Sequence, residues 1–275
     1  MHQKKTAALY TILTCFIAVV FFFPIYWMLI TSLKTDGEIF SAIPTYFPHQ
    51  ITFDAWIKQF MDKNFLAALK NSVVIAFLSM GLSLMLGIPA AYAMGRYRIP
   101  FQRVFLLSFL ITQMLPASVL LTPLYLIFSK IGLLNTYFAP AFAVASHSIP
   151  FIIVTLRPYF KSVSVTLDEA ARIDGCGALR SFLYIMIPTI RTGIITVTTI
   201  TFLHGWSDLA YSMTFNTRAE MRPLTANIHR FLDAYGTRWN YVMAYGMIPV
   251  LPVILLFVFL QKYIVGGLTA GSVKE

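Results

Sequence analysis

The side chains able to do chemistry are few, and the first question they answer is where energy enters. A loop that cradles phosphates ends in Gly-Lys-Ser or Gly-Lys-Thr, and no Lys in this sequence follows a Gly. Any ATP and Mg that drive this protein are therefore expected on a separate chain, with no cofactor bound here. A carboxylate deep in a membrane span costs at least ~2.5 kcal/mol and is kept for function, and Asp208, near the outer end of an apolar segment, is the one close to that situation. His204 lies four residues earlier on the same helical face, so a structural His204–Asp208 hydrogen bond is expected rather than a proton relay. No Ser/His/Asp set has workable spacing, and catalytic residues are expected to be absent. Cys15 and Cys176 are expected to be far apart, and no Cys/His spacing suits a metal, so neither a disulfide nor a metal site is expected.

A site for a hydroxyl-bearing solute needs aromatic faces beside groups that bind hydroxyls. Trp206, Tyr211, Gln113 and Ser146, together with Asp208, are candidates for the wall of a cavity between spans. A Trp or Tyr near the end of a span also serves as an interfacial anchor, and both readings stay open for these two aromatics. Residues 212–240 carry Arg218, Arg222, Arg230 and Arg238, which suit either a landing surface for an extracytoplasmic partner or a solvated loop.

One polar stretch, residues 166–188, has the pattern of a soluble helical hairpin between two apolar segments. Thr166 with Glu169 three residues on forms a capping box, which predicts a short helix starting there. Asp174-Gly175 predicts its end, because Gly adopts the left-handed conformation of a tight reversal without steric cost. Ala170 and Ala171 predict a small-residue face beside Glu169, a knob that another protein's surface could approach closely.

The elements that must carry these groups follow from composition. The chain has 275 residues, 58% of them hydrophobic and 12% charged, far from the quarter charged that a soluble domain carries. About 20 apolar residues cross a bilayer as a helix, which predicts an all-α, polytopic membrane protein with six transmembrane helices in a single domain. The spans are expected near 10–31, 71–94, 104–128, 138–156, 189–211 and 241–264, with the polar hairpin at 157–188 and a short tail at 265–275. Asn71-Ser72 is expected to cap the second span, Pro116 and Pro123 to break or bend the third, and residues 32–70 to form an exposed loop with one short amphipathic helix. The net charge of +10 is spread over short loops, which argues for lipid headgroups as its counterpart and against nucleic acid. Arg96, Arg98 and Arg103 between spans two and three outweigh Lys130 between three and four, so both termini and the hairpin are expected in the cytoplasm of a multi-pass protein of the plasma or inner membrane.

The spacing Glu169-Ala170-Ala171, Gly175, Ile185, Ile187-Pro188 resembles the EAA loop of the permease subunits of ABC importers. Ile187 replaces the usual Leu, and Ser164 stands where carbohydrate importers of this kind carry a Pro. The resemblance reaches across nearly the whole chain: Asn71-Ser72 with Ala90-Ala91-Tyr92-Ala93, Gly132-Leu133-Leu134-Asn135-Thr136, Tyr235-Gly236-Thr237 with Trp239, and the closing Gly267-Leu268-Thr269-Ala270-Gly271 are similar to the second permease of maltose-type carbohydrate importers. Arg191-Thr192 departs from it where a Pro is common. What the resemblance implies is the ABC importer type I permease fold, and a chain that forms half of a path for a sugar, with an oligosaccharide as the expected class. It also implies a second permease subunit, a cytoplasmic ATPase dimer and an extracytoplasmic solute-binding protein. Glu169, Ala170, Ala171, Asp174 and Gly175 would then form the cytoplasmic coupling helix, and Leu268, Thr269, Ala270 and Gly271 would contact the ATPase. An ABC permease for a non-sugar solute is the nearest alternative, and an ion-coupled secondary carrier is disfavoured by the scarcity of intramembrane carboxylates.

Overall fold

The computed structural model describes the backbone of residues 2–228 and 238–269, and the side chains of 9–167, 169–171, 173–228 and 238–263. Every regular element among them is helical. Four helices are long and apolar enough to cross a bilayer: α1 (His2–Ser32), α4 (Lys63–Arg96), α7 (Phe138–Ser162) and α14 (Trp239–Thr269). Two bent pairs raise the number to six if each is one span. The first is α5 (Gln102–Met114) with α6 (Ala117–Lys130), bent by 98°. Leu115 there is extended at φ −75°, ψ 125°, the conformation forced on a residue that precedes Pro, and Pro116 opens α6. The second bend, of 84°, separates residues Ala178–Thr189 from α11 (Arg191–Trp206). Pro188 removes a helical donor and crowds the carbonyl of Tyr184, and a π-helical turn over Phe182–Met186 precedes it.

The chain forms two compact units. The first comprises Met1–Leu66 and Asn227–Pro252. Along α1, side chains such as Leu13, Phe16 and Phe22 lie exposed, as they must where hydrocarbon is the solvent. Residues 32–62 follow with two short helices, α2 (Asp36–Ile39) and α3 (Asp54–Met61). This segment is less of a free loop than its polarity suggests. Ala55 of α3 is fully buried with Tyr241 and Ala244 of α14, Trp56 Nε1 donates to Ser32 Oγ at 3.0 Å, and the Tyr241 hydroxyl donates to Asp54 at 2.7 Å.

The second unit comprises Ala67–Ala226 and Val253–Glu275. Its main core joins Ala91 of α4, Ile152, Leu156 and Phe160 of α7, Met186, and Val197 of α11. α4 and α11 touch at Gly205, where a Cβ would lie 2.5 Å from Ser79 Oγ and 2.9 Å from Ala76 Cα. Only a glycine admits that approach. A second core sets Phe128 of α6 edge-on to Phe215 of α12 (Ala210–Phe215), with Val144 of α7 beside them.

Asn71 and Ser72 do not cap α4, which starts earlier at Lys63 and holds both residues inside a continuous helix. They instead bond to the short 3-10 turn at Ala219–Met221, to Arg222 after it, and to the start of a one-turn helix at Leu224–Asn227. Asn71 Nδ2 donates to the carbonyls of Glu220 at 2.7 Å and Arg222 at 3.1 Å, while its Oδ1 accepts from the Tyr137 hydroxyl at 2.9 Å. Ser72 Oγ accepts from the Leu224 amide at 2.8 Å. α7 also runs past the expected end at Leu156 to Ser162, and α14 runs to Thr269.

Asn71→Leu should therefore orphan two carbonyls and a hydroxyl, and lower the stability of the assembled protein by about 1–3 kcal/mol. Thermal unfolding in detergent, compared with the milder Ser72→Ala, is the measurement, and an unchanged midpoint for Asn71→Leu would remove the assigned role.

Candidate functional site

The hairpin begins with α8 (Val165–Ile173). Its start differs from the expected capping box, because Thr166 already lies within the first turn and a cap must stand just outside it. Ser164 takes that place, its Oγ accepting from the Thr166 amide at 3.2 Å and lying 2.6 Å from the Thr166 hydroxyl. The end is as the sequence indicates. Gly175 has φ 76°, and the amide of Cys176 donates to the Ala171 carbonyl at 2.8 Å, closing a Schellman-type reversal.

Glu169 and Ala170 are exposed, and Asp174 and Gly175 lie exposed at the turn. Ala171 is only 3% exposed and points inward, so the small-residue face offered outward is that of Ala170, not of both alanines. Val165 and Ile173, four residues either side of Glu169 on α8, and Leu179 beyond the turn are 62%, 86% and 71% exposed. Apolar side chains clustered this way on a polar hairpin mark a surface built for a partner. The hairpin's base is fixed: Arg96 Nη1 donates to the Val163 carbonyl at 2.8 Å and Arg157 Nε to the Met94 carbonyl at 3.3 Å. A Cβ on Gly95 would meet Phe160 at 2.7 Å, so the end of α4 is pressed against α7 just before the hairpin starts.

The candidate pathway residues separate into two groups. Gln113 and Ser146 lie near a polar run on α7: Gln113 Nε2 donates to the His147 carbonyl at 2.7 Å, and Ser146 Oγ donates to the Ala143 carbonyl at 2.7 Å. His204 of α11 joins this run. Its Nδ1 is 3.0 Å from Ser148 Oγ, and its ring lies 5.9 Å from those of His147 and Phe151. The expected His204–Asp208 pair does not form among the described contacts, because α11 ends at Trp206 and the face that would align them ends with it. Asp208 caps α12 instead, accepting from the amides of Tyr211 at 3.2 Å and Ser212 at 2.8 Å and from the Ser212 hydroxyl at 2.7 Å. Trp206 stacks on Phe202 and Tyr211 on Phe215, both largely buried. His147 and Ser148 were not singled out from sequence, since an isolated His or Ser on an apolar segment carries no spacing signal.

In the first unit, the segment after α1 holds charged groups in defined partnerships. Glu38 accepts from the Thr45 hydroxyl at 2.6 Å and the His49 amide at 3.0 Å, and the Thr45 bond leads in holding its carboxyl below the ordinary value. Asp54 is held low chiefly by Lys58, with Tyr241 second. Arg238 lies 4.3 Å over the Tyr241 ring and 3.4 Å from Asp36. Arg218 and Arg222 sit in the second unit, whereas Arg230 lies outside the described residues. Ala270 and Gly271 of the tail also lie outside them, as do the side chains of Leu268 and Thr269. Among the described residues no group of His, Cys, Asp and Glu is arranged to hold a metal ion.

Helices that span a membrane, two of them sharply broken, with a braced polar hairpin presenting an acidic and apolar face, define a membrane transport subunit rather than a catalyst. The chain belongs to the family of binding-protein-dependent transport system inner membrane components, which it matches over residues 83–269. It is a permease subunit of an ABC importer, and ATP hydrolysis belongs to a separate subunit. It is 31% identical over 264 residues to a diacetylchitobiose uptake system permease protein of Streptomyces coelicolor, covering 96% of this chain and 95% of that one. It is 30% identical over 252 residues to a sulfoquinovosyl glycerol transport system permease protein of Agrobacterium fabrum, covering 92% and 88%. Its fold is similar to that of a chain in the crystal structure of a bacterial ABC transporter for the acidic polysaccharide alginate, with a TM-score of 0.83 at 23% identity over 96% of this chain and 98% of that one.

Removing the cap by Ser164→Ala should weaken α8 by about 1 kcal/mol. Amide exchange over residues 165–173 in the assembled protein reads this as faster exchange at the start of α8, and unchanged exchange there would reject Ser164 as its cap.

Proposed function

We propose that this chain is one of two permease subunits forming the path of an ATP-driven, binding-protein-dependent sugar importer, with an oligosaccharide as the class of substrate. The observation that carries the coupling role is the α8 hairpin, whose exposed Glu169 and Ala170, flanked by exposed Val165, Ile173 and Leu179, stand on a base fixed through Arg96 and Arg157. The substrate class is supported by relatives whose names specify diacetylchitobiose, sulfoquinovosyl glycerol and, for a 28% identical protein of Mycobacterium tuberculosis, trehalose.

On this reading the hairpin docks into a cytoplasmic ATPase dimer that carries ATP and Mg. Leu268, Thr269, Ala270 and Gly271 reach the same subunits. Both termini are cytoplasmic, in keeping with Arg96, Arg98 and Arg103 between the second and third spans. A solute-binding protein delivers the sugar to the opposite face, and a second permease completes the path. Gln113 and Ser146 are the chain's contributions to that path, with His147 and His204 beside them. Trp206, Tyr211 and Asp208 shape it through the buried contacts described above.

Glu169→Ala and Gly175→Val should leave membrane insertion intact and abolish sugar uptake, because one removes the docking carboxylate and the other forces a β-branched residue to φ 76°. Uptake by membranes holding the whole importer, with ATPase retention measured by co-purification, is the assay. Normal uptake by both variants would remove the coupling role. The purified chain alone, placed in liposomes, should neither hydrolyse ATP nor carry sugar, and solute-dependent uptake by it would overturn the reading in favour of a self-sufficient carrier.

A further inference from the structure

The first unit carries an open-sided cavity of about 280 Å³ that the coupling mechanism does not use. Its wall includes Trp27 and Thr31 from α1, Lys34 just beyond that helix, Glu38 of α2, Thr45, and Trp239 at the start of α14. Lys34 is the unusual member. It is 3% exposed, its ammonium donates to the Thr45 carbonyl and lies 4.9 Å over the Trp27 ring, and no carboxylate pairs with it within salt-bridge distance among the described residues. An ammonium has three donors, so a buried one held by a single carbonyl and a ring face has bonding capacity directed at whatever fills the space beside it. Glu38 supplies acceptor oxygens in the same wall, and Thr31 a hydroxyl. Trp239 is 39% exposed and has no aromatic partner among the described residues, so its ring offers an open face.

An open indole face beside clustered donors and acceptors is what a sugar ring needs, with C–H groups against the aromatic and hydroxyls toward the charged side chains. The cavity falls just below the range of pockets that enclose drug-sized ligands, a size that accommodates one sugar ring. A lipid acyl chain would fill the same volume but add no acceptor for the remaining ammonium donors of Lys34, which has the Thr45 carbonyl and the Trp27 ring as its partners. We propose that this cavity binds a single pyranose ring on the extracytoplasmic side, with Trp239 as the stacking face and Lys34, Glu38 and Thr31 as the hydroxyl-binding groups. The site rests on the sugar-importer reading and on its orientation, which puts the end of α1 on the extracytoplasmic side.

The test uses the assembled importer in lipid nanodiscs without its solute-binding protein, titrated with D-glucose, N-acetyl-D-glucosamine and trehalose and followed by saturation-transfer NMR. Saturable binding of at least one of them is expected. Trp239→Ala and Lys34→Met should each weaken it roughly tenfold, the factor that follows from losing a charged hydrogen bond or its equivalent, and Trp239→Phe should retain it. Trp239 is half-exposed, so its alanine variant keeps the test valid even if Lys34→Met fails to fold. Absence of saturable binding by all three sugars, or equal binding by wild type and Trp239→Ala, overturns the proposal. Uptake by the complex with its binding protein separates the two readings: sugar uptake without binding in nanodiscs rejects the cavity alone, and absence of sugar uptake as well as binding rejects both.

Discussion

Broken helices are tolerated in a membrane only where their freed backbone groups find partners within the protein, and in the second unit that condition is met largely by asparagine and serine side chains. The segment between α11 and residue 227 is broken into short helical pieces whose ends leave backbone groups to be satisfied from elsewhere. Asn71 takes the carbonyls of Glu220 and Arg222, Ser72 the amide of Leu224, and Asn135 Oδ1 accepts from the Arg218 amide at 2.9 Å and the Thr217 hydroxyl at 3.0 Å. Asn135 itself is held at φ 58°, a conformation Asn tolerates better than most residues, and its amide donates to the Phe215 carbonyl at 2.9 Å. The Thr225 hydroxyl closes the set on the Asp208 carbonyl at 2.6 Å. Because α4 supplies Asn71 and Ser72 from inside a continuous helix, the position of the irregular segment is tied to a rigid element.

The same helix governs the opposite end of the unit. At Gly205 it meets α11 with no room for a Cβ, and at Met94 to Arg96 it receives Arg157 and reaches Val163. The hairpin therefore hangs from a point where α4 and α7 are closely joined, at Gly95 and Phe160. A displacement of α8 is passed to packed helices, whose close-packed cores resist continuous deformation and so move as bodies. On the proposed coupling role, that is a physical route by which docking at Glu169 would reach the spans.

Much of this was legible in the sequence because it depends on local chemistry. Pro116 turns Leu115 before it to an extended conformation and so divides the span there, although Pro123 lies inside α6; Gly175 permits a left-handed turn without help from its neighbours, and long apolar runs state the fold class. The features that escaped depend on what lies across the fold. Asn71-Ser72 has the composition of a cap, and only the position of residues 220–224 shows that it serves another segment. Thr166 and Glu169 satisfy the capping-box spacing, yet Ser164, two residues earlier, supplies the cap. His204 and Asp208 share a face only for as long as the helix continues, and it stops between them at Trp206. The polarity of residues 32–70 suggested a solvated loop, whereas Ala55 is fully buried and Lys34 nearly so, since burial depends on partners far along the chain.

The fate of the ionisable groups near the spans bears on how energy is transmitted. A carrier driven by an ion gradient needs a carboxylate or imidazole whose bonds change as the ion arrives and leaves. Asp208 has both oxygens engaged in starting α12, where a change of protonation would disturb a helix terminus rather than open a path. His204 is engaged with Ser148, and Gln113 bonds to a backbone carbonyl of the same run. The acidic groups presented outward on the α8 hairpin, Glu169 and Asp174, lie instead at its exposed tip, where a second protein can reach them. Polar chemistry inside the second unit thus holds its shape, while chemistry available to a partner is concentrated on the hairpin, an arrangement suited to work delivered mechanically from outside the bilayer.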